Sequence, residues 1–525
     1  MASSSAFKDL TGYFIYVLLT ATIGPLLFGY HLAELNAPQD VITCEKKSIS
    51  ALLVTRIASS LHAEAAIDGL PQCIRMNSTQ FGLVSSFFTL GGLIGALGAG
   101  PVSAKFGRLR TMQYNTISFI VGGIIEALAP NVGAMVVGRT ISGLGAGASV
   151  VVVPIFISET APPNQKGFFG AFTQVMINVG ILVAQVLGFF LSKGSLWRII
   201  LAAAGAIGLI QTIGLVLGGS ESPKWMAENG KRSNAKRALR KLRGHSVDID
   251  EEVKGWGTNE DEEDNEDEEQ ALLAGRDRPS NSQTEHEAPH SVHEAASMTK
   301  TATKSAPKEV LGVISVLRDP QARPAIIAVT SVMVAQQLCG INSIVMYGVS
   351  LLADLLASNS ALLNILVAVL NIIVTTASAP LVDKIGRKTC LLISIAGMGT
   401  NSILLAIGIL KHIPALSAIA VLLFVSSFGI GLGPVPFILS SELVGPEAVG
   451  ATQSWALAAN WIATFVVAQF FPLLSEKLGK GKVYFLFAGM AVLFGGFTAW
   501  WVPETKGKAS ADEVWGRVKP EEREE

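Results

Sequence analysis

Gln336-Gln337-Leu338-Cys339-Gly340-Ile341-Asn342-Ser343-Ile344-Val345-Met346-Tyr347 lies inside an apolar run from about 325 to 356. At about 1.5 Å of rise per residue, such a run is long enough to cross a bilayer as a helix. Three carboxamides in its middle are costly unless they find partners or line a wet cavity. On a straight helix Gln336, Gln337 and Asn342 point three different ways. Gly340 stands between them and permits a bend or local unwinding that turns them inward together. Uncharged amides, donors and acceptors at once, suit a neutral polyhydroxylated ligand better than an ion. The same amides would also serve as glue between helices, and this segment alone leaves both readings open.

The rest of the chain has the same character. Of 525 residues, 50% are hydrophobic and only 15% charged, with a mean hydropathy of +0.46, against about a quarter charged in a soluble domain. The apolar residues gather in segments of spanning length, at roughly 12–35, 80–103, 110–129, 132–158, 168–192, 197–219, 323–355, 360–382, 389–410, 415–440, 448–475 and 482–502. The fold expected is an all-α polytopic membrane protein with twelve transmembrane helices. The first segment is too long for a cleavable signal and has no cleavage site. Net charge is uninformative at −1, because the acidic residues are pooled in one loop.

Connections after the second and eighth segments are short and basic (Lys105, Arg108, Arg110; Lys384, Arg387, Lys388). Positive charge on that side predicts cytosolic N- and C-termini. The loop 36–79 then faces the lumen or exterior. It holds Cys44 and Cys73, one bridge if the compartment is oxidising, and a sequon at Asn77 very near a helix start.

The two halves repeat. Lys105-Phe106-Gly107-Arg108 returns as Lys384-Ile385-Gly386-Arg387, and Pro154…Glu159 as Pro436…Glu442. Glu221-Ser222-Pro223-Lys224 is echoed by Glu504-Thr505-Lys506. Offsets of 279, 283 and 283 imply duplication into two pseudo-symmetric six-helix bundles, with the working site at their interface near the midplane. The domains are therefore 1–220, a linker 221–310, 311–502 and a short tail 503–525. The linker opens with a basic stretch suited to amphipathic helices. It continues into the acidic run 260–269, whose self-repulsion predicts disorder. Glu268 stands four residues before Leu272-Leu273, a pattern similar to acidic dileucine sorting signals for lysosome or vacuole.

With these motifs placed, the chain resembles the sugar porters of the major facilitator superfamily, including facilitative glucose transporters and their fungal relatives. The markers are Gly29-Tyr30 with Asn36-Ala37-Pro38-Gln39, Gly138-Arg139, Pro154…Glu159, Glu221-Ser222-Pro223-Lys224, Gln336-Gln337…Gly340-Ile341-Asn342, Asp383…Lys388 and Pro503-Glu504-Thr505-Lys506-Gly507. They cover about 12–225 and 310–507.

The resemblance implies a sugar site at Gln174, Gln336, Gln337, Asn342, Asn371, Asn460 and Trp461, with Phe437 where relatives carry Trp. Amides would meet vicinal hydroxyls, and aromatic faces the C–H side of a pyranose; for Trp461, simple helix packing is an equal alternative. It also implies a charge network, Arg108, Lys166 and Arg387 with Glu159, Glu442, Glu221 and Glu504, latching the two bundles on the cytosolic side in the outward-open state. Ala104 and Val449 depart from the charged residues usual at those places. Tyr347 matches the second of two gate tyrosines, and Met346 replaces the first.

In proton-coupled relatives an Asp follows Gly-Tyr and faces the fourth-helix Arg. Here the positions are His31 and Arg139. Because a His beside a cation resists protonation, the expectation is facilitative uniport of a monosaccharide such as glucose by alternating access. A proton-coupled carrier of sugar or polyol is the alternative, and a non-transporting nutrient sensor a further one. No nucleophile–base set, metal cluster or phosphate loop suggests an enzyme, and no metal site is expected. No cofactor is expected, the proton being the alternative co-substrate. The partners expected are the sugar, the bilayer and, through the dileucine, clathrin-adaptor machinery, with no nucleic acid and a working monomer. The membrane expected is vacuolar or lysosome-like rather than the plasma membrane.

Overall fold

The computed structural model describes residues 10–45, 70–244, 247–254, 256, 315–356, 359–445, 448–508 and 510–517. The chain parts into two units, Met1–Val247 with Val310–Glu525, and Asp248–Glu309. Of the second, the short helix Asp250–Lys254 is described. Glu268, Leu272 and Leu273 lie outside the described residues.

The first unit is helical throughout its described length. Its N-terminal half contains α1 (Gly12–Ala33), α2 (Ser78–Phe106), α3 (Arg108–Ala127), α4 (Val132–Thr160), α5 (Lys166–Leu191) and α6 (Trp197–Gly218). Its C-terminal half contains α7a (Arg323–Leu338), α7b (Ile341–Leu356), α8 (Asn359–Ile385) and α9 (Arg387–Leu410). There follow α10a (Pro414–Ile430), α10b (Val435–Glu442), α11 (Val449–Leu478) and α12 (Val483–Trp501).

Among the described residues, eleven helical stretches are long and apolar enough to cross a membrane. The remaining helix of the bundles, α3, carries Arg108, Arg110 and Glu126, charges that the chemistry of the two ends explains below. Expected and observed segments agree to within a turn, except that the seventh and tenth are each broken in two.

Helix starts follow local chemistry. Asn77 and Gln80 form a capping box at α2, and Asn131 accepts from the amide of Ala134 at α4. Asn77, the residue of the sequon, spends its side chain on that cap. Leu217, Val492 and Trp500 are each nearly four-fifths exposed, the apolar outer skin that a bilayer would cover. Within the N-terminal bundle α2 packs on α4 and α1 on α5; in the other, α9 packs on α10a and α7a on α11. Across the halves α2 meets α11 and α5 meets α8, two contacts related by the internal repeat.

Candidate functional site

The amides that open the sequence argument stand at a helix break. Gly340 has φ +99°, a left-handed conformation that glycine adopts without penalty. A Cβ there would also meet the Phe487 ring at 2.7 Å. The break places Gln336 and Gln337 in the last turn of α7a and Asn342 in the first turn of α7b. The second break, between α10a and α10b, frees the carbonyls of Leu432 and Gly433. Gln336 Nε2 donates to them at 2.6 and 3.3 Å.

Gln336 Oε1 accepts from Asn460 Nδ2 at 2.6 Å and from Gln337 Nε2 at 3.1 Å. Asn342 Nδ2 donates to Gln337 Oε1. The two glutamines and Asn342 are buried and Asn460 is half-buried. Four carboxamides from α7a, α7b and α11 thus satisfy one another and two bared carbonyls. This is the inward turn that Gly340 was expected to allow. Such a set can exchange its mutual bonds for the hydroxyls of a neutral ligand without stranding a charge.

Gln174 and Asn371 belong to a second network, which spans the halves. Gln174 Nε2 reaches Asn178 Oδ1 at 3.4 Å. Asn178 donates to Thr375 Oγ1 and accepts from Asn371 Nδ2, both at 3.2 Å. Asn178, one turn after Gln174, was not singled out from sequence. The i, i+4 spacing of two amides on an apolar helix was the available signal. Trp461 is almost fully enclosed, edge-on to Phe28 at 5.5 Å and against Phe88. Its indole fills the α2–α11 seam, the helix-packing role held open for it above. Phe437, in α10b, has an exposed ring.

The charged motifs cap helices within each half. Gly107 (φ +95°) and Gly386 (φ +107°) start α3 and α9. Their missing Cβ atoms leave space that Glu221 and Glu504 fill. Glu221 accepts from the amides of Arg108 and Leu109, and Glu504 from those of Arg387 and Lys388. A carboxylate on a helix N-terminus also meets the helix dipole favourably. Arg108 then forks onto Glu159, with Nη2 to Oε1 at 2.8 Å, and Arg387 onto Glu442 at 3.0 Å. Each of these pairs lies inside one bundle in this structure; the latch implied by the resemblance belongs to the outward-open state. The two-fold repetition of motif is a repetition of caps. The side chain of Lys166, the first residue of α5, lies outside the described residues.

On the other side of the bundles, where the long loop lies, the described structure joins Cys44 to Cys73. Tyr347, in α7b, is buried, donates to the Ala468 carbonyl at 2.6 Å and stacks on Phe471.

His31 and Arg139 meet, but not as expected. Arg139 Nη1 donates to the backbone carbonyl of His31 at 2.9 Å and to Glu34 Oε1. The His31 ring turns its Nδ1 to Glu34 at 2.8 Å. Glu126 stands 3.8 Å from the guanidinium and accepts from Ser142. All four charged or titratable side chains are fully enclosed, with the His31 ring stacked on Phe119 and Arg139 over Phe88. The reading of His31 as the sole counterpart of Arg139 missed both carboxylates. Glu34 is the residue that ends α1, inside the expected first segment, and Glu126 stands in α3.

The profile of a family described as "Sugar (and other) transporter" matches residues 17–515. A probable metabolite transport protein of Saccharomyces cerevisiae, YBR241C, is 30% identical over 96% of each chain. Vacuolar protein sorting-associated protein 73 of the same yeast is 29% identical, over 94% of this chain and 93% of that one. The pig solute carrier family 2 facilitated glucose transporter member 2 is 28% identical over 95% and 93%. In fold, the chain is similar to the Escherichia coli xylose transporter XylE in a partially occluded inward-open conformation. The TM-score is 0.70 at 23% identity, covering 95% of this chain and all of that one. The chain belongs to the sugar (and other) transporter family, the sugar porters of the major facilitator superfamily.

Proposed function

We propose that this sugar porter carries a monosaccharide, a hexose such as glucose, by alternating access of its two bundles around the amides of α7a, α7b and α11. The observation that carries the reading is the connected cluster of Gln336, Gln337, Asn342 and Asn460 at a break in a buried helix. Neutral amides that bond to one another and to backbone carbonyls are poised for an uncharged polyol, and would bind an ion poorly. Gln174, Asn178 and Asn371 would meet the ligand from the other side of the cleft.

Facilitative uniport is inferred from His31 at the place of the relatives' Asp, while Glu34 and Glu126 beside Arg139 favour the proton-coupled alternative. Vacuolar residence draws support from the name of the yeast relative Vacuolar protein sorting-associated protein 73 and from the dileucine pattern at Glu268, Leu272 and Leu273. Both termini would then be cytosolic.

Counterflow of labelled glucose in proteoliposomes, competed by a panel of hexoses, pentoses and inositol, tests the proposal. Exchange competed best by hexoses supports it, and exchange with none of the panel overturns it in favour of a sensor.

A further inference from the structure

The basic stretch that opens the linker takes no part in the sugar site, yet it is built onto the N-terminal bundle. It folds as a helix, Arg232–Arg243, with six basic residues and no acid. Ala235, Ala238, Leu239 and Leu242 are buried, at the three- and four-residue spacings that make one helix face. Arg243 is buried with them. Its guanidinium donates to the carbonyls of Thr160 and Ala161 at 2.7 and 3.0 Å, capping the end of α4 just beyond Glu159.

Arg237, Arg240 and Lys241 lie on the opposite face and are exposed. At spacings of three and four residues their like charges repel, and an anion between them would remove the repulsion. Cations in the last turn suit the helix dipole, but Lys231 and Arg232 at the start oppose it. The helix's own stability therefore does not account for its charge.

Position decides what such a face meets. Thr11, the N-cap of α1, donates to the Leu242 carbonyl at 2.7 Å. The Lys241 ammonium stands 5.1 Å from the centre of the Tyr13 ring. Ile15, Tyr16 and Leu19, within two turns of Tyr13, are exposed and belong to the apolar skin that lipid covers. The basic face thus continues the lipid-facing surface of α1 at the end where its apolar span begins. A tyrosine marks that boundary, as is usual at a membrane interface.

We propose that this face binds the headgroups of anionic phospholipids, with Arg237, Arg240 and Lys241 meeting their phosphate oxygens. Basic side chains at the rim of a bilayer attract anionic lipid, and a guanidinium fork matches phosphate geometry. A protein that takes an amphipathic helix into a groove needs the apolar face, which here is spent on the bundle. The same packing keeps the helix from sinking into the bilayer as a free amphipathic helix does. Only its charges are on offer. Through Arg243, bound headgroups brace the end of α4.

Lipid retention is independent of whether the protein carries sugar, and is read without transport. Purified full-length protein in detergent is titrated with phosphatidylserine or phosphatidylcholine, and bound lipids are counted by native mass spectrometry. The expected result is tight retention of phosphatidylserine and weak retention of phosphatidylcholine. Phosphatidylserine should also raise the melting temperature. Combined Arg237→Gln, Arg240→Gln and Lys241→Gln should weaken the tightest phosphatidylserine binding by on the order of a hundredfold at low salt, with the lipid-free melting temperature unchanged. Combined Arg237→Lys and Arg240→Lys keeps the charge and should keep the binding. Combined Lys411→Gln, Lys477→Gln and Lys482→Gln removes as much charge from exposed positions at the other end of the bundles, and should leave binding intact.

Equal retention of the two lipids by the parent protein overturns the proposal. So does phosphatidylserine binding that is undiminished in the glutamine variant of the helix, lost in its lysine variant, or lost equally in the distant variant. Binding that appears only when the acids of the run 260–269 are replaced by their amides would assign the face to that run and likewise overturn it.

Discussion

The Asn36 side chain, three residues beyond α1, donates to the Val345 carbonyl of α7b at 2.8 Å. Its oxygen accepts from the amide of Val349 at 2.9 Å. Ser350 adds a bond to Gln39 at 3.0 Å. The two halves are thus tied on the side of the long loop by amides to backbone. Tyr347, the expected gate residue, donates to Ala468 of its own half and meets Phe81 of α2 edge-on at 6.0 Å. Asn36→Ala removes both hydrogen bonds to α7b, at about 0.5–1.5 kcal/mol each. Backbone hydrogen exchange over 341–352 should therefore rise about tenfold, since 1.4 kcal/mol is a factor of ten. Unchanged protection would mean that this contact does not hold the state closed.

Gln337 and Trp461 should separate into different kinds of residue. Gln337→Ala removes a partner of Asn342 and of the ligand, raising the half-saturating sugar concentration by roughly tenfold with little change in melting temperature. Trp461→Ala opens a void in the α2–α11 seam, where removal of a buried aromatic costs about 3–5 kcal/mol, so the melting temperature falls first. Paired transport and melting measurements on the two variants check the split; the reverse assignment would contradict it.

The glycines that open α3 and α9 are steric necessities. In Gly107→Ala the new Cβ would lie 2.2 Å from Glu221 Oε2, in an essentially glycine-only backbone region that costs other residues about 1–3 kcal/mol. Gly386→Ala meets Glu504 at 2.5 Å in the same way. Both variants should melt lower than the parent protein. Gly489→Ala, in α12 with nothing within 4 Å, should be neutral or slightly stabilising. Equal melting curves for all three would remove the capping account.

The Cys44–Cys73 bridge closes a separation of 29 residues, for which loop entropy gives about 3–4 kcal/mol. Paired replacement of both cysteines by serine should lower the melting temperature in detergent. Free-thiol labelling under denaturing, non-reducing conditions should find two reactive cysteines in the parent, Cys339 and Cys390, and not four.

The helices were legible because apolar runs of spanning length have few other readings. The duplication was legible because motif offsets survive independently of any contact. Gly340 between polar neighbours foretold the break in α7, and a glycine–proline-rich stretch marked the second break only in retrospect. Glu34 and Glu126 stayed hidden because nothing in their local sequence names Arg139 as a partner; the pairing exists only once α1, α3 and α4 pack. The motif charges show the same limit. Spacing along the chain does not say whether Arg108 turns to Glu159 in its own half or to a residue of the other.

Equilibrium binding of glucose to the purified protein, compared with Gln336→Ala and Gln337→Ala, tests the carrier account most directly. The account predicts saturable binding in the parent, weakened about tenfold or more in each variant, with both variants folded. Binding of equal strength in all three would contradict it.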